Sequence, residues 1–187
     1  MRLILTVALL LVSVTAHAQV AQIRVQMSTN TFSGGTAIPI YTGDGKTLYV
    51  VCAHVAERAN CEINGVPGRV IARDAERDLA LIQTTVQVEH VATLGEDLRP
   101  GEKFWVGSMA GGKFHSVHGV AVTSEKGDYK SADGWSGGPI GGGGVLQAMH
   151  LGRIGANEKY ANLLPVSQIR EFLKENERVT EGCIGFT

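Results

Sequence analysis

The sequence predicts a mainly β protein made of two barrel-like halves with one helix at the C-terminus. Three observations carry that expectation. Glycine is abundant, at 24 of 187 residues. The apolar runs are short and bounded by turn-forming pairs, and helical periodicity is confined to the tail. The formal net charge of -1, with no basic block, removes the electrostatic footprint that nucleic-acid binding requires.

Residues 1–18 carry one arginine, an apolar run over 3–14 and a closing Ala-His-Ala. This layout predicts a secretory signal cleaved after Ala18; an uncleaved anchor is the alternative, disfavoured because a span needs roughly 20 apolar residues. The mature chain is expected to be secreted or periplasmic, touching a membrane only through an uncleaved signal. Residues 37–41 and 47–52 are β-prone and flank a Thr-Gly-Asp-Gly-Lys turn, which reads as a hairpin. Turn signals at Asn64-Gly65 and Pro67-Gly68 are followed by expected strands over 69–72 and 79–84. The polar stretch 95–101, with Pro100 beside Gly101, reads as a connection, so the first half is placed at 19–97 and the second at 98–187. Strands are expected in the second half at 103–107, 117–124, 139–140, 145–151 and 160–164, with glycines 141–144 as a hairpin turn. Ile169, Phe172 and Leu173 then share one helical face, with Ser167 as the expected N-cap after Pro165.

The strongest chemical signal is Gly134-Trp135-Ser136-Gly137-Gly138-Pro139. A serine hydroxyl is a poor nucleophile until a base removes its proton, and its tetrahedral adduct places negative charge on a former carbonyl oxygen. Glycines around a serine permit a tight turn whose backbone amides converge on one point. The amides of Gly134 and Ser136 are the expected oxyanion hole. An apolar strand ends at Cys52-Ala53-His54, placing an imidazole at a strand end. Arg77-Asp78-Leu79-Ala80-Leu81 puts a carboxylate just before another strand, where it can accept the Nδ1 proton and leave Nε2 as base. The order His54, Asp78, Ser136, with the first two in one half and the third in the other, is one of the convergent orders of a serine hydrolase triad. An α/β-hydrolase esterase runs Ser, acid, His and is disfavoured.

These blocks resemble the chymotrypsin-like, or trypsin-like, serine protease superfamily over nearly all of the mature length. The resemblance implies an all-β fold of two six-stranded antiparallel barrels with the active site in the crevice between them, and serine endopeptidase activity on a polypeptide substrate. Trp135 stands where digestive members carry an aspartate, so zymogen activation through that salt bridge is not expected. In size the chain is closer to HtrA-like bacterial proteases and to viral polyprotein-processing enzymes. Its Gly-Trp-Ser-Gly block, followed by His150 before Leu151-Gly152, is similar to that of sobemovirus proteases. Ser131, His150 and Gly152 fall where such proteins wall the pocket for the residue preceding the cleaved bond. The first two look similar to the hydroxyl and imidazole pair of glutamate- or glutamine-selective members, so cleavage after Glu or Gln is expected. A pocket for a small apolar residue, with His150 merely packed in its strand, is the alternative.

His115 and His118 form an H-x-x-H pair whose strand spacing places them on opposite faces, and neither a metal nor another cofactor is expected for the reaction. His17 belongs to the signal, and His90 and Lys130 receive no role. Cys52, Cys61 and Cys183 are an odd number of cysteines. Cys52 and Cys61 can close a loop around His54, or Cys52 can be a buried small hydrophobe; both readings stand. A non-catalytic peptide-binding module on the same fold is the alternative to the enzyme, and oligomeric state is not legible.

Overall fold

The structure, a computed structural model, describes residues 20–28, 31–56, 61–154 and 160–180. The expected signal segment with His17, and Glu57 and Cys183, lie outside the described residues. The first half contains β1 (Ala21–Ser28), β2 (Thr31–Gly43), β3 (Lys46–Cys52), β4 (Cys61–Ile63), β5 (Val66–Asp74) and β6 (Leu79–Thr84). Two of its hairpins turn on residue pairs with both φ positive: Asp44 and Gly45 at 50° and 73°, and Asn64 and Gly65 at 52° and 81°. This is the two-residue turn whose twist matches that of the flanking strands. The six strands close in the order β1-β2-β3-β6-β5-β4.

A short strand β7 (Thr93–Leu94) precedes the second set: β8 (Lys103–Ala110), β9 (Lys113–Thr123), β10 (Lys126–Asp128), β11 (Pro139–Gly142), β12 (Val145–Ile154) and β13 (Tyr160–Pro165). Its order is β11-β8-β9-β10-β13-β12, and the β11–β12 pairing closes it; β7 adds in parallel on β12. Helices α1 (Val166–Glu175) and α2 (Glu177–Thr180) follow. The fold is two closed, six-stranded antiparallel barrels and a C-terminal helical segment, as the sequence implied.

Helix α1 does not pack only on its own barrel. Its buried face, Val166, Ile169, Phe172 and Leu173, belongs to the apolar cluster that contains the first barrel's core. Arg77 ties it there electrostatically, 2.6 Å from Glu175 and 2.8 Å from Asp74. The residue after Arg77 is Asp78, so the returning helix buttresses the loop that carries the acid.

Two expectations are corrected, and one open alternative is resolved. Pro67 and Gly68 lie inside β5, paired with Glu62 and Cys61, instead of forming a turn. A Cβ at Gly68 would come 2.7 Å from Ile82 and 3.3 Å from the Cys61 sulfur, so this glycine serves a close strand approach. Ser167 is not the N-cap of α1: Pro165 occupies that position without a side-chain cap, and the Ser167 amide donates to Asp97 at 2.8 Å. An acid from the inter-barrel connection satisfies the exposed helix amide instead. Cys52 and Cys61 are buried free thiols, so no bridge closes the loop around His54.

Candidate active site

His54 sits one turn beyond β3 and Asp78 immediately before β6, two strands that are hydrogen-bonded to each other with Cys52 opposite Leu79. The pairing brings the two side chains together across the strand ends. The Nδ1 of His54 lies 2.6 Å from Asp78 Oδ2, and the backbone amide of His54 donates to Asp78 Oδ1 at 2.8 Å. An ionised carboxylate only accepts, so Nδ1 carries the proton and Nε2 is left with its lone pair outward. Asp78 takes a positive φ of 56°, a conformation that aspartate and asparagine tolerate better than other side chains. Its carbonyl also accepts the Ala53 amide at 3.0 Å, so both backbone and side chain clamp the segment that carries the imidazole.

Ser136 is held from the opposite barrel by two consecutive turns. Trp135 donates to Ala132 at 3.3 Å and Gly138 to Trp135 at 2.9 Å, with Gly134 and Gly137 at φ 83° and 86° in the positions that demand it. Among the described residues, the backbone amides of Gly134 and Ser136 donate to no backbone carbonyl, which leaves the expected oxyanion pair available. Trp135 is buried in the second barrel's core and lies 6.2 Å, ring to ring, from His115. Apolar burial of Trp135 thus anchors the turn that carries Ser136.

The first barrel positions this turn directly. Thr36 on β2 donates its amide to the Ser136 carbonyl at 2.8 Å, while its hydroxyl meets the Met109 amide and Ser108 of β8. A Cβ at Gly35 would fall 2.8 Å from that same carbonyl and 3.1 Å from Val55, the neighbour of His54. A Cβ at Gly137 would fall 2.0 Å from the Thr36 carbonyl and 3.7 Å from the Cys52 amide. The Ser136 turn therefore abuts the His54 segment with no room for a side chain between. The Ser136 hydroxyl donates to the Leu151 carbonyl at 3.2 Å. That carbonyl's residue lines, with His54, Asp78, Gly152 and Arg153, a cleft of about 470 Å³.

Of the expected pocket residues, Gly152 lies in the cleft beside His54, and His150 and Ser131 are set deeper. The Ser131 hydroxyl is buried with no hydrogen-bond partner among the described residues. His150, 1% exposed, has its Nδ1 2.7 Å from the Tyr129 hydroxyl. Burial, then the charges of Arg153 and His54, lowers the His150 pKa to about 4; burial raises that of Tyr129. The imidazole is therefore neutral at physiological pH. Arg153, three residues beyond His150, pairs at 2.6 Å with Asp133, two residues beyond Ser131, tying the two segments together. Sequence reasoning missed Tyr129 and this ion pair. The first stood as one aromatic in a polar stretch, and the second joins segments twenty residues apart.

The depressed His150 pKa makes stability pH-dependent. The unfolded chain takes up this proton as pH falls through 6.5, the folded protein only near 4, so acidification across that window favours unfolding. The shift is worth about 3 kcal/mol. Melting of the wild type should therefore drop more steeply between pH 7 and 4.5 than that of His150→Gln. Parallel slopes would show that His150 is not the group responsible.

No protein-family model matches the chain, and no curated protein matches its sequence. Solved structures do match. The Rv3671c protease from M. tuberculosis in its active form superposes with a TM-score of 0.69 at 17% identity, over 84% of this chain and 80% of that one. A serine-to-alanine variant of Rv3671c from M. tuberculosis H37Rv, in an inactive form, gives 0.68 at 16% identity, over 83% and 85%. The chain has the chymotrypsin-like serine protease fold.

Proposed function

We propose that the protein is a serine endopeptidase acting through His54, Asp78 and Ser136. The observation that carries this reading is the Asp78 carboxylate, which binds both the Nδ1 and the backbone amide of His54 and so holds the one tautomer that can act as base. Rotation of the Ser136 hydroxyl from the Leu151 carbonyl towards Nε2 starts the reaction. His54 takes the proton as the oxygen attacks a peptide carbonyl, and Asp78 stabilises the resulting imidazolium. The Gly134 and Ser136 amides receive the oxyanion. The proton then passes to the leaving amine, and water hydrolyses the acyl-enzyme by the same steps. A neutral homologue of the same shape that only binds peptides would have no chemical use for this carboxylate clamp.

For the residue preceding the cleaved bond, the buried Ser131 hydroxyl and the neutral His150 supply donors that an apolar side chain would leave unpaired, at a cost of about 1–3 kcal/mol. A Tyr129 hydroxyl donating to Nδ1 leaves Nε2–H of His150 as the donor facing a ligand. An uncharged donor pair suits the amide of Gln, with Glu second, since no formal positive charge on His150 offsets the desolvation of a carboxylate. Mass-spectrometric mapping of cleavage sites in a denatured protein mixture tests both levels. Cleavage after Gln, and less often Glu, is expected, with Tyr129→Phe losing that selectivity by roughly tenfold or more. Cleavage after Val, Ala or Arg would overturn the specificity, and no cleavage at all would favour the binding module.

A further inference from the structure

The reading above leaves Cys52 unused, although its place is unusual. Its sulfur, one nitrogen of His54 and one carboxylate oxygen of Asp78 all lie within 4.8 Å of one another. Thiolate, imidazole and carboxylate together are a donor set for zinc and for the softer cadmium, and a fourth position would be left for water. We propose that Cys52, His54 and Asp78 form an inhibitory site for a thiophilic divalent cation, distinct in role from any catalytic metal. Two of the three ligands are reachable from solvent, since the His54 and Asp78 side chains are 47% and 26% exposed. The thiol lies behind them, fully buried, against the His150 carbonyl. A cation arriving through the cleft therefore meets the carboxylate and imidazole first and the sulfur last.

Inhibition follows from the tautomer. The nitrogen facing Asp78 is Nδ1, at 2.6 Å from Oδ2, a gap filled by one proton. A cation bound there displaces that proton, and the proton of the Cys52 thiol, to water. A neutral imidazole metallated at Nδ1 carries its remaining hydrogen on Nε2, where it cannot accept a proton from Ser136. The carboxylate, drawn to the metal, also ceases to orient the ring. The same side chains thus serve as base and as metal ligands, but not at once.

Binding depends only on the three side chains, whereas inhibition rests on the peptidase reading, and the test separates them. Cadmium is titrated into Ser136→Ala protein while the ultraviolet thiolate-to-cadmium charge-transfer band is followed. The expected result is a saturable band at one cation per chain, with an affinity reduced roughly tenfold or more by adding Cys52→Ala or Cys52→Ser. The two replacements guard against a packing effect of either one. In protein with Ser136 intact, zinc should suppress peptide hydrolysis, and Cys52→Ala should keep its activity while losing that sensitivity by a similar factor. A band of equal size and affinity in both Cys52 variants would place the cation on other cysteines and overturn the site. Zinc-insensitive hydrolysis by the wild type would overturn the inhibition. Protein that never hydrolyses peptides but still shows a Cys52-dependent band would sink the peptidase reading and keep the metal site.

Discussion

Ser136→Ala should lower kcat for a peptide substrate by about a millionfold, leaving only the modest rate that amide donors and binding supply. The fold should survive, because the carbonyl and not the hydroxyl of Ser136 bonds to Thr36, and the flanking turns are held by backbone contacts. The hydroxyl's one described partner is the Leu151 carbonyl, whose loss costs about 1 kcal/mol or less. Steady-state kinetics beside a thermal melt check both halves. An alanine variant with wild-type turnover would show that hydrolysis comes from elsewhere on the protein or from a contaminant.

Asp78→Asn should reduce kcat by about ten-thousandfold at neutral pH, and the structure gives a specific reason. The side-chain oxygen of asparagine is needed to accept the His54 backbone amide that Oδ1 now accepts at 2.8 Å. Its NH2 group must then face Nδ1, which becomes the acceptor, and the ring proton moves to Nε2. The base would hold the wrong tautomer with little change in shape, since asparagine tolerates the positive φ that Asp78 adopts. A pH–rate profile of the variant checks this: activity should stay low around neutrality, with an unchanged KM. A loss confined to KM, with kcat intact, would mean that Asp78 contacts substrate and does not orient the base.

How much of this was legible beforehand depends on the range of the interaction. Asp44-Gly45 and Asn64-Gly65 are visible in sequence because the positive φ of both central residues is a local demand. The proposed triad of His54, Asp78 and Ser136 is visible because each residue sits at a strand end or a glycine-bounded turn whose chemistry is written in its neighbours. Pro67-Gly68 misleads, since the same pair that favours a turn also suits a strand that must come close to Ile82 and Cys61. Strand β1 is not anticipated, although Ala21, Ile23 and Val25 alternate as buried residues in it, the period-two pattern of a half-buried strand. Ser167 misleads for the opposite reason: the acid that caps the helix comes from Asp97, and nothing near Ser167 announces it. The Tyr129–His150 contact and the Cys52, His54, Asp78 cluster likewise join separate segments. Each arises only once the strands of its own barrel have closed.

The central claim is that the His54 imidazole makes the Ser136 oxygen a nucleophile. Reaction of the folded, full-length protein with a fluorophosphonate, followed by peptide mass spectrometry, tests it most directly. A single adduct on Ser136, strongly diminished in His54→Ala, is the expected outcome. An unmodified Ser136 in folded protein, or modification that proceeds equally well without His54, would contradict the account.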